Sequence, residues 1–137
     1  MRQALEKLEQ EIKAVKRAGR LARGVLEEGS SVKEEAQELH AKFSALVEAL
    51  SHLSQALDTH YASLEDDTKL EQALISLKRI KAKCATPLAS LERASTAKEV
   101  LELLASLEQS VLDLEGVLAS LKRTPRLKYS SHPQSHA

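Results

Sequence analysis

From Val32 onward the residues Val32, Ala36, Leu39, Phe43, Leu46, Leu50, Leu53, Leu57, His60 and Leu64 recur in steps that alternate four and three. An α-helix turns once in about 3.6 residues, so this alternation draws one stripe along one face, whereas a strand needs a step of two. If helical from Val32 to Leu64, the segment is about 50 Å long at ~1.5 Å per residue. That exceeds the diameter of a compact domain built from 137 residues, so the spacing predicts a rod. The expected fold class is all-α: an elongated antiparallel bundle of about four helices with heptad, coiled-coil-like packing.

Three further helices follow from the same arithmetic. Leu5, Leu8, Ile12, Val15, Gly19, Ala22, Val25 and Leu26 mark a first helix over about 2–28, with Gly29 as its C-terminal stop. Gly19 and Gly24 weaken it by about 1 kcal/mol each relative to Ala; close helix approach or fraying would explain them. Leu70, Ala73, Leu77, Ile80, Cys84, Leu88 and Leu91 mark a third, in which Pro87 removes a backbone donor and predicts a kink or short break. Val100, Leu104, Leu107, Val111, Leu114, Leu118 and Leu121 mark a fourth, ended by Thr124-Pro125. Ser31-x-x-Glu34, Thr68-x-x-Glu71 and Thr96-x-x-Glu99 each have the capping-box form, which satisfies backbone N–H groups left open at a helix start. Short connections then place consecutive helices antiparallel, in up-down-up-down order with packing near +20°. Residues 1–123 are expected to form a single bundle domain and 124–137 a disordered tail.

Composition agrees with this and narrows the function. Aromatics are 2% of the chain while 42% is hydrophobic and 29% charged, the balance of long helices rather than strands. Twenty Lys and Arg offset twenty Asp and Glu, so no global field draws the chain to nucleic acid or acidic membrane. Cys84 is the only cysteine, which excludes an intrachain disulfide and suits a reducing compartment. The N-terminus alternates charge without an apolar core, unlike a signal peptide, and no stretch reaches the ~18 apolar residues of a membrane span. An intracellular location, cytoplasmic or nuclear, is expected.

No nucleotide-cradling, nucleophile-elbow or CxxC motif is present, so neither an enzyme nor a cofactor is expected. His40, His52, His60, His132 and His136 do not group with acids or Cys84 as metal ligands would. His60 falls on the seam of the second helix, where a polar residue can set register, although a near-terminal imidazole with its tip in water has the same position. Cys84 on the third seam reads as a buried structural thiol rather than a reactive one. Lys13, Lys16, Arg17, Arg20 and Arg23 share much of one side of the first helix and are the candidate contacts for an anionic surface. Lys78, Arg79, Lys81 and Lys83 form a second basic cluster, and Lys122, Arg123, Arg126 and Lys128 a third. The usual fate of such a cluster is a hydrated surface or an acidic face on a partner subunit. Leu101, Leu103 and Leu112 widen the apolar face of the fourth helix and are the candidate partner-facing residues.

Three resemblances accompany this pattern. ALEKLEQEIKAVKRAG and FSALVEALSHL resemble small helical subunits of the Mediator transcription complex, which implies a place in a multichain assembly. LEKLEQEIKAVKRAGRLARGVLEEG looks like the first helix of BAR domains, which implies dimerisation on curved membranes, though the chain is shorter and poorer in aromatics. KCATPLASLE and AKEVLELLASLEQ are similar to the N-terminal helical domains of fungal NLR-like proteins, without their apolar first helix. All three share the same Leu/Ala/Glu/Lys bias and no residue of specific chemistry.

The expected role is a non-catalytic protein–protein interaction or scaffold subunit, assembling through its heptad seams with itself or other helical chains. Expected partners are thus protein chains, with a membrane surface second, nucleic acid unlikely for want of stacking aromatics, and no small-molecule substrate. A peripheral, BAR-like membrane protein using the basic faces and an oligomerising signalling domain are the alternatives.

Overall fold

The computed structural model describes residues 2–28, 31–61 and 68–123, without the side chains of His60 and Tyr61. Four helices follow in order: α1 (Arg2–Glu27), α2 (Val32–Tyr61), α3 (Thr68–Leu91) and α4 (Ala97–Lys122). No strand occurs among the described residues. Half of the capping box expected at Thr96 is formed: its Oγ1 accepts from the Glu99 N–H at 3.2 Å, while Glu99 Oε1 accepts from the Thr96 hydroxyl at 3.1 Å. At α2 the Ser31 hydroxyl accepts from Glu34 N–H at a longer 3.4 Å. Helix α3 begins at Thr68 and continues through Pro87 to Leu91 without a break. Gly29, Leu64 and the segment 124–137 lie outside the described residues.

The heptad positions become the core. On α1 the buried residues are Leu5, Leu8, Ile12, Val15, Gly19, Ala22 and Leu26, while Val25 is half-buried. Every expected seam residue of α4 from Val100 to Leu121 is buried, joined by Ser110. On α2 the stripe from Ala36 to Leu57 is buried, with Phe43 fully enclosed. On α3, Pro87 is buried where the spacing pointed to Leu88, which is half-buried. Burying a Leu side chain is worth about 1.5–3 kcal/mol, and the stripes together place one apolar layer between the four helices.

Neighbouring helices in the chain pack against one another, and α4 returns to α1 to close the ring. The ring is flattened. Helices α2 and α4 also touch across its middle, whereas α1 and α3 do not meet among the described residues. That diagonal explains why α2 and α4 have the broader buried faces, with Ala49 and Ser54 added on α2 and Ser110 on α4. Ser54 Oγ donates back to the Leu50 carbonyl at 3.1 Å, and Ser110 hydrogen-bonds Cys84 on α3. Among the described residues no buried side-chain N or O lacks a partner.

Candidate interaction surfaces

Charge is distributed by helix. Helix α1 carries seven basic against four acidic residues and α3 five against one. Helices α2 and α4 each carry two basic against five acidic. Each helix therefore packs beside neighbours of opposite net charge, and the two like-charged basic helices sit on the long diagonal, out of contact.

The α1–α4 seam shows what this alternation builds. Glu9 pairs with Lys122, Lys16 Nζ with Glu115 Oε2 at 2.7 Å, and Arg23 with Glu108. Positions 9, 16 and 23 climb α1 by heptads while 122, 115 and 108 descend α4 by heptads, as an antiparallel register requires. At the third rung Arg23 Nη1 donates to Glu108 Oε2 at 2.7 Å and Nη2 to Oε1, the two-pronged geometry that suits a guanidinium and a carboxylate. Its hydrogen bond to Glu108 raises the Arg23 pKa further, against the smaller opposing effect of burial. Gly19 lies beneath this rung. A Cβ there would stand 2.7 Å from Glu108 Oε2 and 3.5 Å from Leu104 Cδ1, whereas one on Gly24 would meet nothing within 4 Å. Close approach therefore accounts for Gly19 alone.

The ladder divides the five basic candidates of α1. Lys16 and Arg23 have partners within the chain. Lys13, Arg17 and Arg20 are exposed and enter no ion pair among the described residues; Lys13 and Arg17 line a shallow groove against Glu35, Glu38 and Lys42 of α2. Glu9, Glu108 and Glu115 were not singled out from sequence, although opposite charges at matched heptad intervals on two helices are a signal that would have found them.

The three leucines of α4 also separate. Leu101 and Leu103 are half-buried and pack on the core, while Leu112 is 59% exposed. By helical spacing Leu101 lies on the side of the core stripe toward α1, and Leu103 on the other. Leu112 borders a groove shared with Gln72, Ala73 and Ser76 of α3. Among the described residues the other large apolar side chains in the open are Leu21 and Ile75. His60 belongs to α2, but its side chain lies outside the described residues. Elsewhere His40 Nε2 stands 3.0 Å from Glu92 Oε1 and ties α2 to the end of α3.

Among the described residues no group of three His, Cys, Asp or Glu could hold a metal ion, and no helix is long and apolar enough to cross a membrane. The Cys84 thiol is pushed up from its usual pKa by burial, with the hydrogen bond to Ser110 working the other way. A thiol so placed is protonated and shielded. No family model, curated protein or solved structure matches the chain.

Proposed function

We propose that this protein is a non-catalytic interaction or scaffold subunit, a helical bundle that engages helical chains (further copies of itself or other proteins) along α4. The observation that carries this reading is Leu112, a large aliphatic side chain left 59% exposed on the helix whose inner stripe is otherwise fully used. Ala105, Leu112 and Ala119 fall at heptad intervals on the outer side of α4, with Leu101 one turn before Ala105, so a second helix laid there would meet a weakly apolar track. In the same reading the four-three steps of α2 and α4 pack in coiled-coil fashion, and Pro87 bends α3 while its ring fills the core.

The test is co-purification of the native protein with its associated chains, read by mass spectrometry, for wild type and Leu112→Glu. The exposed position predicts a stability change within about 0.5 kcal/mol, so loss of associated chains reports on the surface and not on folding. Retention of the same chains by the variant would overturn the role of Leu112. For self-assembly, equilibrium sedimentation decides: a monomer at high micromolar concentration with a sharp cooperative melt sinks it.

A second reading draws on Lys13, Arg17 and Arg20, which enter no ion pair among the described residues and suit a peripheral contact with anionic lipid. It requires binding to anionic liposomes that weakens with salt, and no binding at low salt removes it.

A further inference from the structure

We infer that the outer face of α3 is a docking surface for an acidic amphipathic helix of another protein chain, a second surface that shares with the Leu112 track only the reading of this protein as an interaction subunit. Lys78, Arg79, Lys81 and Lys83 are all exposed, and the only acidic residue of α3 is Glu71, two turns away from the nearest of them. None of the four enters an ion pair among the described residues. Because α1 does not reach α3, nothing in the bundle covers this side of the helix among the described residues.

The occupant follows from how the chain treats its other basic helix. Between α1 and α4, a basic helix is held by an acidic one through opposite charges at heptad intervals. The outer face of α3 presents cations to solvent at a closer spacing, with Arg79 and Lys83 one helical turn apart. Ile75, Lys78, Ala82, Ala85 and Ala89 step by threes and fours along it for about 21 Å, with Arg79 and Lys83 on one flank. The alanines project a single carbon each, so a second helix backbone can come close enough for its carboxylates to reach the flanking cations. A bilayer would find only Ile75, 49% exposed, to bury in its interface. Single-stranded nucleic acid would find no aromatic on α3 to stack upon. A helix with Glu or Asp along one face fits both the charge and the shape.

The experiment is an NMR titration of the full chain with a synthetic amphipathic helix bearing Glu along one face. A Gln-substituted analogue and phosphatidylserine/phosphatidylcholine vesicles run in parallel. Amide shifts should concentrate in residues 75–89, the Gln peptide should leave them unmoved, and the triple variant Lys78→Glu/Arg79→Glu/Lys83→Glu should bind about tenfold or more weakly with its circular dichroism and melt unchanged. The triple variant Lys13→Glu/Arg17→Glu/Arg20→Glu should lose less than about threefold. Equal losses in both triples would mean that the overall field, not this face, binds the peptide, and would overturn the proposal. Shifts outside α3, or vesicles that perturb α3 where the peptide does not, overturn it too, the latter in favour of a lipid surface. If the triple reversal unfolds, Lys78→Gln/Lys83→Gln serves instead, and binding unchanged by it counts against the proposal. Loss of native partners in Leu112→Glu is read separately, so either surface can fail alone.

Discussion

Arg23 on α1 and Glu108 on α4 form a two-pronged ion pair directly over Gly19, at one end of a three-rung ladder that joins the first helix to the last. Both side chains keep contact with water, at 41% and 30% exposure, which limits what the pair is worth. A double-mutant cycle with Arg23→Ala and Glu108→Ala should give a coupling of about 0.5–1 kcal/mol at low salt. In 1 M NaCl, where screening acts over ~3 Å, the coupling should shrink by half or more. A coupling above about 2 kcal/mol, or one indifferent to salt, would mean that the seam is far drier than the exposures show.

The two helical glycines of α1 should respond differently to Ala. At Gly24 the new Cβ meets open space, so Gly24→Ala should gain about 0.5–1 kcal/mol, a rise of a few degrees in Tm. At Gly19 the same propensity gain is set against displacement of Glu108, and Gly19→Ala should gain measurably less. In a Glu108→Ala background the obstruction is gone, and the two substitutions should converge. Thermal melts of the six proteins decide it; equal gains in the wild-type background would remove steric contact as the reason for Gly19.

The helices were legible because each depends on neighbours three and four residues apart in one sequence. The buried stripe of α4 from Val100 to Leu121 and the start of α2 at Val32 follow from spacing alone. The pairing of Lys16 with Glu115 was not, because 99 residues separate them and the register depends on how two hairpins dock. The same holds for Leu101, Leu103 and Leu112. All widen one helix face, and only the positions of the neighbouring helices leave Leu112 exposed and bring the other two against the core. At Pro87 a local rule anticipated a kink or a short break; the ring lies in the core and the helix runs through it without a break.

Thr96 closes the N-terminus of α4 together with Glu99, and this cap sits at the turn that sets the α3–α4 hairpin. Thr96→Ala should cost about 1 kcal/mol in urea denaturation, near twice the cost of Ser31→Ala, whose longer 3.4 Å bond is weaker. Equal losses at the two sites would show that the backbone turn, and not the side-chain bond, holds α4 in place.

Cys84 makes stability depend on alkaline pH. An unfolded thiol ionises near 9.0, and burial raises that value in the bundle even though Ser110 hydrogen-bonds the group. Below 9.0 both states hold the proton and the thiol contributes no pH dependence. Above it the unfolded chain releases a proton that the folded chain keeps, so stability falls as pH rises until the folded thiol ionises as well. Lysines and tyrosines titrate in the same range, so the comparison is with Cys84→Ala, which should be less stable at neutral pH because it leaves a small cavity. As pH rises above about 9 the wild type should lose more stability than the variant. Parallel pH curves for the two proteins would mean that the Cys84 thiol titrates in the bundle as it does in water, and that the α3–α4 interface around Ser110 admits solvent.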